Sequence, residues 1–87
     1  MKKKKRADAA SVLQGIVLPS KWDKDGRVMR ISLNTQDEKE YIIDYSGKGK
    51  ELLNHLRKRI EVEGKILQRI GGGFYIKVNG YHCVNEL

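Results

Sequence analysis

Alternation of apolar and polar residues with period two runs through most of the chain and is interrupted once. Residues 11–18, SVLQGIVL, are rich in apolar and β-branched side chains and predict a first strand. Gly15 in the middle of that run marks a bulge or a sharp bend. Pro19 and the cluster SKWDKDG predict the strand's end, and Asp25-Gly26 a turn into the next one. Residues 27–35 then alternate, which predicts Met29, Ile31 and Leu33 on a core face and Val28, Arg30 and Ser32 on the other. A polar turn at 36–39 leads to a third strand over 40–45, with Tyr41 and Ile43 inward and Asp44 outward; Ile42 is apolar as well and leaves the phase open.

The interruption is KGKELLNHLRKRIEVEGKI at 48–66. Its first half has Leu52, Leu53 and Leu56 at helical spacing, and its second half alternates as Ile60, Glu61, Val62, Glu63. The pattern predicts a short helix over 50–56, entered through Ser46, Gly47 and Gly49, with Arg57, Lys58 and Arg59 complementing the carbonyl end of its dipole. A fourth strand follows over 59–70, with Ile60, Val62 and Ile66 on one side, Glu61, Glu63 and Lys65 on the other, and Gly64 as a second candidate bend. Gly71, Gly72 and Gly73 turn the chain into a fifth strand over 74–78; Asn79-Gly80 is a turn or bulge, and 81–84 completes an edge or closes back onto the first strand.

Five short strands in 87 residues can hide their edges by closing into a barrel, and a barrel has an open end. A short amphipathic helix can plug it through Leu52, Leu53 and Leu56, with His55 and the lysines facing water. The expected fold is therefore all-β with one short helix, a five-stranded barrel in the order β-β-β-α-β-β, divided into a basic tail at 1–10 and a barrel domain at 11–87. An SH3-like barrel is the alternative, disfavoured because the helix comes after three strands.

Composition changes this picture in two places. The formal charge is +7, but Lys2, Lys3, Lys4, Lys5 and Arg6 carry most of it, leaving +3 over residues 9–87. Such a run repels itself and is expected to be disordered, either as a solubilising arm or as a hook for phosphates. A basic start also suits the leading region of a signal peptide, yet Asp8 and Gln14 interrupt the apolar stretch and no small-residue cleavage site follows. No apolar run approaches the roughly 18 residues of a membrane span, so the expectation is a cytoplasmic protein without membrane contact. The single cysteine, Cys83, excludes an internal disulfide and a multi-cysteine zinc site. It is expected as a small buried hydrophobe.

The bent strand around Gly15, the run GRVMRISLNT, Tyr41 after a polar turn, and above all KELLNHLRKRIEVEGKI resemble the OB-fold, the oligonucleotide/oligosaccharide-binding barrel, whose helix lies between strands three and four. The resemblance covers about 11–85 and is to small stand-alone bacterial OB domains. It implies a ligand face on strands two and three flanked by the loops joining strands one to two and four to five. In this chain those positions fall on Lys21, Trp22, Lys24, Arg27, Arg30, Arg69, Phe74 and Tyr75, with Lys77 beside them.

Trp22 sits between lysines, where an indole stacks a base for about 1–3 kcal/mol while the cations hold phosphates; the alternative is that it folds back over a barrel end. The chain departs from cold-shock-type barrels in having no aromatic residue over 27–35, and Asp23, Asp25, Asp37, Glu38 and Glu40 dilute any positive groove. GKGK at 47–50 lacks the spacing of a phosphate loop and reads as a hinge; GGG at 71–73 reads as a loop needing positive φ. His82 and Cys83 are adjacent on a strand, so their side chains point to opposite faces rather than forming a dyad.

The expectation is thus a non-enzymatic module without cofactor or metal. It would bind single-stranded nucleic acid weakly and largely without sequence preference, with residues 2–6 extending the phosphate contact. The competing expectation is a protein-interaction or scaffold barrel with no nucleic-acid role. The two separate on surface arrangement. Cations clustered around an exposed Trp22 favour nucleic acid, whereas an exposed apolar strip along 74–84 favours a protein partner.

Overall fold

A computed structural model describes residues 11–84. The expected basic tail, with Lys2, Lys3, Lys4, Lys5 and Arg6, lies outside the described residues. The elements are β1 (Ser11–Trp22), β2 (Val28–Thr35), β3 (Glu40–Asp44), a 3-10 helix (Gly49–His55), β4 (Arg59–Gln68) and β5 (Phe74–Cys83). The strands close into one barrel in the order β1-β2-β3-β5-β4, antiparallel except for the β3–β5 pair. The all-β barrel with a short helix between the third and fourth strands is the architecture the alternation predicts.

Closure depends on β1 serving two partners. Its first half pairs with β4 and its second half with β2, and Gly15 and Ile16 pair with both. At that corner β2 comes so close that a Cβ on Gly15 would stand 2.5 Å from the carbonyl oxygen of Asn34, so only glycine fits. Gly64 is the second corner: a Cβ there would overlap the carbonyl oxygen of Lys77, and the β4–β5 register shifts beside it, between Glu63 and Gly64. Both predicted bends are present.

The core is Val17, Ile31, Leu33, Tyr41, Ile43, Leu52, Ile60, Val62, Ile76 and Val78, drawn from every strand and the helix. Leu52 is fully buried, and Leu53 and Leu56 pack partly buried against the core, so the helix plugs the barrel as its leucines predict. It is a 3-10 helix beginning one residue early and ending at His55, since the chain turns sharply afterwards: Arg57 takes φ +68 and its N–H reaches the Val17 carbonyl at 2.6 Å.

Several expectations change. Pro19 does not end β1; the strand absorbs it next to a register shift between Pro19 and Lys21 and continues to Trp22. Met29 shares the parity of Ile31 and Leu33 but is 52% exposed, because a second shift between Lys21 and Trp22 leaves it unpaired at the hairpin tip. Ser32 lies on the face opposite the core as expected, yet is only 1% exposed and accepts a 3.0 Å hydrogen bond from Asn34 Nδ2. Finally, 81–83 neither forms a separate edge nor returns to β1. The bulge at Asn79-Gly80 carries β5 onward, and Tyr81, His82 and Cys83 pair with Val62, Glu61 and Ile60.

Candidate nucleic-acid interface

The register arranges the outer face of the barrel into cross-strand rows. Leu18 stands opposite Ser32, Ser32 opposite Ile42, Ile42 opposite Tyr75, and Tyr75 opposite Leu67. All five alternate with core residues and so point outward. Leu18, Ile42, Tyr75 and Leu67 are half-buried and Ser32 forms the floor between them. This row crosses all five strands, a span of about 19 Å at about 4.8 Å per strand.

One step along the strands lies a row of charge. Lys21 is opposite Arg30, Asp44 is opposite Lys77, and Lys77 is opposite Lys65. Continuing the β2–β3 register two residues from the Ser32–Ile42 pair brings Arg30 opposite Asp44. The row therefore reads Lys21, Arg30, Asp44, Lys77, Lys65, about 6.6 Å from the apolar row. Two of its cross-strand pairs, Lys21–Arg30 and Lys65–Lys77, set like charges directly opposite each other, an arrangement that costs roughly 0.2–1 kcal/mol per pair. The one carboxylate, Asp44, is engaged: it accepts the Ser46 N–H at 2.7 Å, and hydrogen bonding from Ser46 together with the charge of Lys77 lowers its pKa. Tyr45, next in the chain, has its pKa raised by burial, partly offset by the charge of Arg30.

The residues expected at the site fall into three groups. Lys21, Arg30, Lys77 and Tyr75 come together on these two rows. Trp22 lies at the adjoining end, 54% exposed, on the last position of β1 rather than in a loop, with exposed Lys24 and Arg27 in the turn that follows. Arg69 and Phe74 are at the opposite end of the strands, where Phe74 is 40% exposed and its ring centroid lies 6.1 Å from that of buried Tyr41. Arg69 belongs to the β4–β5 turn: its N–H donates to the Gly73 carbonyl, and Gly71, Gly72 and Gly73 all take positive φ, the simple reason expected for the GGG run. The sequence alone did not single out Lys65, Leu18, Ile42 and Leu67 for this face. Alternation gives the side for Lys65 but leaves Ile42 open, and the row depends on pairings between strands as distant in sequence as that of Ile42 with Tyr75.

Elsewhere, Cys83 is exposed, correcting its expected burial, because it sits at the barrel end where β5 finishes. Its Sγ lies 3.7 Å from Nδ1 of His55, whose ring meets Tyr81 edge-on at 5.5 Å, so His55 is half-buried rather than facing water. Tyr81 donates to Glu51 at 2.8 Å, and that bond, with burial, raises its pKa. His82 is paired with Glu61 on the outer face, away from Cys83. A groove of about 350 Å³ lined by Val12, Glu61, Glu63, Gly80, Tyr81 and His82 is acidic and shares no residue with the two rows. Among the described residues no three His, Cys, Asp or Glu side chains gather to hold a metal ion, and no helix is long and apolar enough to cross a membrane. Comparison with protein-family models, curated proteins and solved structures returns no match.

Proposed function

We propose that this barrel is an OB-type module that binds single-stranded nucleic acid weakly and with little sequence preference across the outer face of β1, β2, β3, β5 and β4. The observation that carries the reading is the pair of rows: four cations from three strands and the end of a fourth, beside a shallow apolar strip containing Tyr75. Backbone phosphates would lie along Lys21, Arg30, Lys77 and Lys65. Bases would rest on Leu18, Ile42, Tyr75 and Leu67, where contact needs a flat apolar surface and reads no base edge. A sheet that sets like charges opposite each other twice in one row gives up stability there, which supports the reading of a surface kept for a ligand.

The contrast with a protein-interaction module also favours this reading. Trp22 is exposed next to the cationic row, whereas residues 74–84 present no continuous apolar strip among the described residues, since Ile76 and Val78 are buried and Tyr75 and Tyr81 half-buried. Arg69 and Phe74, at the opposite end of the strands, would add contacts outside the two rows, and residues 2–6 would add phosphate contacts.

The test is fluorescence anisotropy of a labelled single-stranded oligonucleotide titrated with the full chain and with a chain starting at Ala9, over a range of salt. Four phosphate contacts give a slope of log K against log salt of about −2.8. A slope of that size that survives removal of the tail, and an affinity loss of about 5- to 150-fold in Tyr75→Ala, support the reading; binding that vanishes with the tail refutes it.

A further inference from the structure

We propose that Asp23 is a positioning residue that holds Trp22 and Met29 open as the stacking end of this face, an inference that rests on the nucleic-acid reading above. Two register shifts in β1–β2 leave Trp22 opposite Val28 and rotate Met29 out of the core parity it shares with Ile31. Both side chains end more than half exposed at one hairpin tip, next to the Lys21–Arg30 pair. Exposing a tryptophan and a methionine together gives up the apolar burial that either side chain would gain in a packed core.

The turn that maintains this is tightly made. Oδ1 of Asp23 accepts the N–H of Asp25 at 2.8 Å and the N–H of Arg27 at 2.9 Å. The backbone closes the same loop: Asp23 N–H donates to the Arg27 carbonyl at 2.9 Å and Gly26 N–H to the Asp23 carbonyl at 3.0 Å, with Gly26 at φ +85. One carboxylate oxygen thus ties both sides of a five-residue turn, an Asx arrangement that fixes the last residue of β1 relative to the first of β2. It also directs the Asp23 charge into the turn's own N–H groups, so an acidic residue that would oppose phosphate serves the platform instead. A platform rigid before the ligand arrives loses less side-chain freedom on binding.

The inference makes a charge-matched comparison decisive. Asp23→Ala and Asp23→Asn remove the same negative charge, but only asparagine keeps an oxygen that accepts the two N–H groups. Oligonucleotide affinity should be about three- to tenfold weaker in Asp23→Ala than in Asp23→Asn, the cost of ordering one such side chain on binding. Time-resolved anisotropy of Trp22, the chain's only tryptophan, should show faster local motion in free Asp23→Ala and wild-type behaviour in Asp23→Asn. Urea unfolding of both variants identifies any general loss of fold. Equal affinity and equal Trp22 mobility in the two variants, with the wild type binding normally, overturn this inference alone. Absence of binding by the wild type overturns the reading of the face and this inference with it.

Discussion

Lysine 65 stands directly opposite Lys77 on the outer face, and replacing it by glutamate should make the protein more stable and a poorer ligand binder at once. Both side chains are exposed, so the pair's repulsion sits at the lower part of the 0.2–1 kcal/mol range for opposed cross-strand charges. Turning it into attraction gives a stability gain of about 0.5–1 kcal/mol, which for a domain of this size raises Tm by roughly 2–8 °C. Binding moves the other way. Each phosphate contact contributes about 0.7 to the salt slope, and therefore about fivefold in affinity at 0.1 M salt, so Lys65→Glu should weaken binding at least fivefold and flatten the slope by 0.7 or more. Urea and thermal unfolding measure the first quantity, and anisotropy over a salt series the second. Lys50→Gln, on the exposed side of the helix, serves as the control and should move neither by more than about twofold in affinity or 0.5 kcal/mol in stability. A variant that loses stability, or binds as well as wild type, would refute the argument that this row trades fold energy for a ligand.

Leu52→Ala should cost about 2.7–5 kcal/mol, because the side chain is fully buried and both the transfer energy and the cavity count; Asn54→Ala on the same turn should stay within about 0.5 kcal/mol in urea unfolding. Asp44→Asn removes the one carboxylate from the cationic row and should tighten oligonucleotide binding and steepen the salt slope, read by the same anisotropy series. Stability should fall on acidification below about pH 4: the pKa of Asp37 is lowered by its hydrogen bond from Thr35 and that of Asp44 by its bonds from Ser46, so their contribution is complete above the unfolded-state value and lost as pH drops through the folded one. Thermal melts between pH 2 and 6 check this, and Asp37→Asn should make the acid limb shallower.

What the sequence reveals about this chain divides along physical lines. Glycines announce the barrel corners, since Gly15 and Gly64 each stand where a neighbouring carbonyl leaves no room for a Cβ. Leucine spacing announces the plug, since Leu52 is buried as the helical period requires. Bulges are what period-two reasoning misses. Parity with Ile31 places Met29 in the core, and the shift between Lys21 and Trp22 reverses it; the Asn79-Gly80 position, legible as a turn or bulge, sends Gly80 and His82 outward in line with Glu63 and Glu61. The cationic row was half legible. Lys21, Arg30 and Lys77 were visible as candidates, but Lys65 joins them only through the pairing of β4 with β5, and no local pattern encodes which residue of one strand faces which of another. Cys83 was misjudged for a related reason: its residue type favours burial, and only the end of the barrel, next to His55, explains its exposure.

Closure of the sheet also restricts how any partner can be recognised. Every strand of the barrel has a neighbour on each side, so strand addition, which needs a free row of backbone N–H and carbonyl groups, has no full edge to use. A partner must therefore read side chains, on the outer face or on the turns. On the outer face the exposed choices are the acidic groove of Glu61 and Glu63 and the cationic row beside Tyr75, and they present opposite charge. A polyanion meets attraction on one and repulsion on the other, which orients it before any contact is made. The same asymmetry gives charge reversal its diagnostic value. Glu61→Lys enlarges the positive field without touching the proposed contacts and should raise the association rate with little change in dissociation, whereas Lys77→Glu should raise the dissociation rate as well. Stopped-flow measurement of both variants separates a site on the cationic row from general attraction to a basic protein, and equal effects on dissociation would place the ligand elsewhere.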